Sequence, residues 1–69
     1  MSTPTPRQAD VLRFVRWHIK THEVAPTRLE IGEALGFSRP TAEQHLQALK
    51  KLKLVTLRTQ WRGISLRGA

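Results

Sequence analysis

Residues Thr27 to Leu52 read TRLEIGEALGFSRPTAEQHLQALKKL, and this stretch decides the fold. Thr27 with Glu30 three residues later has the spacing of a capping box at a helix start. Ile31, Ala34 and Leu35 then fall on one helical face. Gly36 ends that helix, because glycine enters the left-handed C-cap conformation without a Cβ penalty. Gly32 lies four residues earlier, where a small residue lets a second helix cross closely. Phe37, apolar inside the turn, is expected to plug the core beneath it. Ser38 can cap a second helix with Pro40 in its first turn. Ala42, Leu46 and Leu49 draw a narrow apolar stripe along it. Two short helices around a glycine-containing turn form a helix-turn-helix, whose second helix enters the major groove of DNA. On this stretch alone an ordinary helical hairpin inside a larger core fits equally.

The surrounding chain narrows the choice. With 69 residues it makes one domain, of a size that buries only about 60% of its unfolded surface. That leaves no room for a deep enzyme cleft beside the core. Twelve Lys and Arg face five Asp and Glu, for a net charge of +7. A small basic domain suits a polyanion, most often nucleic acid. Cysteine is absent, which excludes a disulfide framework and thiolate metal sites. The three histidines read as scattered, with no carboxylate or Cys at ligand spacing, so neither a metal nor another cofactor is expected. No apolar run approaches the roughly 20 residues of a membrane span, and the N-terminus lacks the apolar core of a secretory signal. A cytoplasmic protein with no membrane or small-molecule partner is the expectation.

Residues 1–4 are small, polar and proline-containing, and should fray. Thr5-Pro6-Arg7-Gln8 is a second capping box with Pro6 at the first helical position. The helix that follows is expected to run from about Pro6 to about Thr21. Its core stripe is Val11, Leu12, Val15 and Ile19, with Phe14 on the flank. Arg13, Trp17 and Lys20 point away from that stripe. Pro26 forces the preceding residue out of the helical region. After Leu52 the period changes to two: Val55 and Leu57 alternate with Thr56 and Arg58, and Ile64 and Leu66 with Ser65 and Arg67. Two such runs around Thr59-Gln60-Trp61-Arg62-Gly63 predict a β-hairpin over 54–67. The expected fold over 1–69 is therefore mainly α with a small β-hairpin: a three-helix winged helix-turn-helix, with the helix-turn-helix at 27–52.

These residues resemble the N-terminal DNA-binding domain of LexA-type SOS repressors. The matching pieces are Arg7-Gln8, Pro26-Thr27-Arg28 with Glu30-Ile31, Leu35-Gly36-Phe37, His45-Leu46, Ala48-Leu49 and Arg62-Gly63-Ile64. They keep the family's order and lie near its spacing from about Thr5 to Leu66. The resemblance implies a repressor of the DNA-damage response, bacterial or phage-encoded. It also implies binding of two copies to a pseudo-palindromic operator, the third helix in the major groove and the wing on the backbone. The chain departs from the family in four places. The third helix is one residue short around Arg39-Pro40-Thr41. The wing is one residue short and lacks the tip glycine. Lys53 stands where the family usually ends the helix with glycine. The C-terminal self-cleaving and dimerising domain is absent, so an excised DNA-binding domain and a small stand-alone relative both fit, neither of them self-cleaving.

The third helix presents Thr41, Gln44, Gln47 and Lys51 opposite its core stripe, with Glu43 at the edge. Gln pairs bidentately with adenine, Thr meets the thymine methyl and Glu accepts from cytosine N4. Thr41, Glu43, Gln44 and Gln47 are therefore the base-reading candidates, against the plainer reading of a solvated polar face. Ser38 and Arg39 at the helix start suit a phosphate, and so do Thr27 and Arg28 at the start of the second helix. Lys50, Lys51 and Lys53 are backbone candidates that also complement the helix dipole. Arg58 and Arg62 in the wing complete the set. Trp17 and Trp61 are candidates for a protein interface, since a large exposed aromatic on a small basic domain can mark a partner surface. Their existence keeps open a second function, a winged-helix protein-interaction module. The leading expectation is a sequence-specific duplex-DNA repressor, not an enzyme, that is monomeric when free and pairs on DNA.

Overall fold

A computed structural model describes residues 3–57 and 64–66 of the chain. Three helices come first, α1 (Pro6–His22), α2 (Arg28–Leu35) and α3 (Arg39–Lys51), followed by strands β1 (Val55–Leu57) and β2 (Ile64–Leu66). The strands pair antiparallel with Val55 opposite Leu66 and Leu57 opposite Ile64. The architecture is the winged helix-turn-helix. Among the described residues no helix is long and apolar enough to cross a membrane.

Each helix begins where its own side chains satisfy the free backbone N–H groups. Thr5 and Gln8 close one capping box, Thr27 and Glu30 a second, and the Ser38 hydroxyl accepts from the Thr41 N–H. Helix α2 ends at Gly36 in the left-handed region, φ 80°. The Gly32 carbonyl then accepts from both Gly36 and Phe37 N–H, at 2.8 and 2.9 Å. Gly32 itself is buried, and a Cβ there would collide with the Phe37 carbonyl oxygen and lie 3.3 Å from its carbon. The close approach anticipated at Gly32 is thus made by the turn leading into α3.

The core comprises Val11, Leu12 and Val15 of α1, Ala25, Ile31 of α2, Ala42, Leu46 and Leu49 of α3, Val55 and Ile64. Helix α3 packs on α1, α2 and β1. Two expectations about the core are corrected. Ala34 is exposed, not on the core face. The direction that α2 buries lies between Ile31 and Gly32, which at about 100° per residue leaves Ala34 well to one side. Ile19 is only half-buried, while His18 is 8% exposed and takes the inward place. The His18 ring is tolerated there because its Nδ1–H donates to the Val24 carbonyl at 2.7 Å. Phe37, half-buried, packs from the turn against the core beneath it as expected, and its ring lies 4.8 Å from that of His45. Helix α1 also runs one residue past the expected end, to His22, before Glu23 turns left-handed at φ 61°.

Candidate nucleic-acid interface

Helix α3 divides cleanly along its length. Ala42, Leu46 and Leu49 face inward, fully buried, while Arg39, Gln44, Gln47, Lys50 and Lys51 are exposed. The i, i+4, i+7 spacing of small and branched apolar residues fixes which side docks. The outward side is left to polar and cationic residues. Among the described residues the side chains of Arg39, Gln44, Lys50, Lys51 and Lys53 make no hydrogen bond or ion pair.

The other candidates are tied to one another. Arg28 at the start of α2 donates from Nε to Glu43 Oε1 at 2.7 Å. Gln47 Nε2 donates to Glu43 Oε2 at 2.6 Å, one turn further along α3. Burial works to raise the Glu43 carboxyl, but the Gln47 amide and the Arg28 guanidinium outweigh it and hold the carboxyl below the usual range. The Arg28 side chain is 19% exposed and that of Glu43 40%. Arg28 is therefore a half-covered strut between two helices as well as a cation near the surface. Its pairing was not legible from spacing, since 15 residues separate the partners.

The start of α3 is similarly organised. Ser38 Oγ accepts from the Thr41 N–H and donates to Thr41 Oγ1 at 2.9 Å. The Thr41 side chain is half-buried, with its hydroxyl turned toward the cap. Thr27 Oγ1 is engaged by the Glu30 N–H at 3.1 Å. At the far end of α3, Lys53 adopts φ 62°. Its N–H meets the Lys50 carbonyl, and the Leu54 N–H meets that of Leu49. Those two bonds are a Schellman closure, with lysine in the place that glycine usually takes. Lys50, Lys51 and Lys53 are all exposed around this end.

Sequence reasoning missed Arg7. Its guanidinium lies 4.5 Å from the centre of the Phe37 ring, and it donates to the Leu35 carbonyl at 3.4 Å. The start of α1 is thereby fastened to the turn between α2 and α3 by a cation–π contact. Only the resemblance pointed at this residue. Trp17 is 55% exposed, as anticipated, and stands on α1 beside Phe14 and His22. Arg58, Trp61 and Arg62 lie outside the described residues.

A helix-turn-helix whose second helix is apolar inside and polar and cationic outside, followed by paired strands, defines the winged helix-turn-helix class of nucleic-acid-binding domains. The model of the LexA DNA binding domain matches residues 1–59, and the chain belongs to that family. It is 47% identical over 66 residues to the LexA repressor of Thiobacillus denitrificans, covering 93% of this chain and 33% of that protein. It is 46% identical over 52 residues to the LexA repressor of Pseudomonas aeruginosa, covering 74% of this chain and 26% of that one. With LexA repressor 1 of Pseudomonas putida the identity is 46% over 48 residues, 68% of this chain and 24% of the relative. The chain thus spans about a quarter to a third of the length of these curated relatives.

Proposed function

We propose that the chain binds duplex DNA at specific sequences with α3 in the major groove, and represses transcription by occupying an operator. It acts as a regulator and catalyses no reaction in this role. The observation that carries this reading is the outward face of α3: Gln44 and Gln47 between cations that are unpaired among the described residues, Arg39 at one end and Lys50, Lys51 and Lys53 at the other. Gln44 is the principal base reader, because its amide is free to pair bidentately with adenine. Gln47 presents its carbonyl oxygen and remaining N–H, since Glu43 takes the other. Thr41 offers its methyl. Glu43 can accept from cytosine through lone pairs that Arg28 and Gln47 leave open. Arg39, Lys50, Lys51 and Lys53 meet phosphates, joined by Thr27, Arg28 and Ser38 at the helix starts and by Arg58 and Arg62 of the wing.

The relatives bear the name LexA repressor, which supports repression; an operator of two half-sites filled by two copies is what the resemblance of the sequence implies. The apolar stripes of all three helices are spent on the core. A stable homodimer would need about 800 Å² more per partner, so the copies pair on DNA and the free chain is a monomer. Selection of bound sites from a random duplex pool tests the whole reading. A two-fold symmetric consensus is expected, with cooperative binding on two half-sites and weak binding on one. An unstructured pool after repeated selection, or equal affinity for RNA and single strands, overturns it.

A further inference from the structure

We infer that His18 and His22 form a two-imidazole site for a divalent borderline cation, Zn(II) or Ni(II), on the last turn of α1. The two residues are four apart on the helix, so their side chains rise from the same face one turn from each other. Their ring centres are 4.5 Å apart. Two of the three histidines that looked scattered in the sequence are thus neighbours at a known chelating spacing, the same i, i+4 separation that places two ligands on a helical metal site.

A second observation concerns the state of the rings. His18 Nδ1 donates to the Val24 carbonyl at 2.7 Å. That bond puts the proton on Nδ1 and leaves the Nε2 lone pair as the donor to a metal. A backbone carbonyl on the second ring nitrogen is the arrangement that orients metal-ligating histidines and raises their basicity. His22 is exposed and can swing its ring toward an arriving ion.

The helix itself supplies a third reason. His22 is the final residue of α1, where the unsatisfied carbonyls concentrate partial negative charge that favours a cation. Imidazole nitrogens suit Zn(II) and Ni(II) over the hard, oxygen-seeking cations. Among the described residues no group of three or more His, Cys, Asp or Glu comes together. The ion therefore keeps open positions for water, and the site is an open chelate rather than a closed structural one.

The neighbourhood provides its own reporter. The Trp17 ring lies 5.8 Å from that of His22 and 6.4 Å from that of His18. In a Trp61→Phe background, Ni(II) is expected to quench Trp17 emission saturably at one ion per chain. Zn(II) titration of the full chain, followed by the ring nitrogen signals of all three histidines, should move His18 and His22 together on one isotherm and leave His45 still. Because His22 is exposed, His22→Ala keeps the fold, and it should weaken Zn(II) by about tenfold or more, since the second ligand no longer acts intramolecularly. Shifts confined to a single histidine, a response led by His45, or undiminished binding by His22→Ala would overturn the assignment.

Discussion

Arg28 and Glu43 stand fifteen residues apart, yet their side chains meet at 2.7 Å and join the start of α2 to α3. The same carboxylate holds Gln47 through its other oxygen. One acidic group therefore sets both the spacing of the two helices and the pose of an amide on the outward face.

The first prediction follows from the direction of the Glu43 shift. Its folded carboxyl lies below the usual range, so its contribution is fully present above the unfolded Glu value of about 4.3. It is lost as pH falls through the lower folded value. Glu43→Gln should cost at most about 1 kcal/mol near neutral pH, because the pair is partly exposed and screened. Urea midpoints at pH 7 and pH 3 check this: the gap between wild type and variant should close at acid pH and narrow in high salt. A gap that persists at pH 3 would assign the residue a role unrelated to its charge.

The second concerns readout. Gln44→Ala should lose roughly 1–3 kcal/mol on the selected operator and little on random duplex. Lys51→Ala should weaken both DNAs alike and reduce the slope of log affinity against log salt by about one. Affinities measured on both duplexes across a salt series separate the two roles. Equal losses for Gln44→Ala would remove it from the base readers.

The third concerns Gly32. Gly32→Ala places a methyl against backbone atoms of Phe37, which have no rotamer through which to yield. A destabilisation of about 1–3 kcal/mol is expected, read as a lower thermal midpoint. A neutral substitution would show that the turn can widen at no cost.

The fourth concerns Lys53, which holds φ 62° where most side chains are strained. Lys53→Gly should raise stability by about 0.5–1 kcal/mol, the relief of left-handed strain less glycine's extra entropy in the unfolded chain. Loss of a cation from the α3 end should at the same time lower affinity for every duplex. Calorimetric unfolding and binding measured on one preparation would show the two effects with opposite sign.

What could be read from the sequence was what neighbours in the chain decide. The capping boxes at Thr5 and Thr27, the stop at Gly36, the stripe Ala42, Leu46 and Leu49, and the switch to period two after Leu52 are all written within a few residues of where they act. His18 was illegible because a carbonyl six residues on supplies the bond that lets it be buried. Ala34 was misplaced because an eight-residue helix gives too few apolar points to fix the direction of its buried side. Arg28 to Glu43 and Arg7 to Phe37 are meetings of distant segments, which only the packed helices create. The candidate face on α3 was legible in outline. Which of its side chains are free and which are already engaged was not.

Helix α3 touches α1, α2 and β1 while turning a separate side outward. Its sequence therefore carries two messages that scarcely share letters. On the proposed reading, changes at Gln44 would alter an address without disturbing the scaffold, whereas changes at Leu46 or Leu49 would abolish the scaffold before any address is read. If that face reads DNA as proposed, a lineage built on such a helix can wander among targets by single outward substitutions and remain folded at each step. Glu43 and Gln47 are the exceptions, positions where retargeting must also renegotiate the bonds that meet at the strut to Arg28.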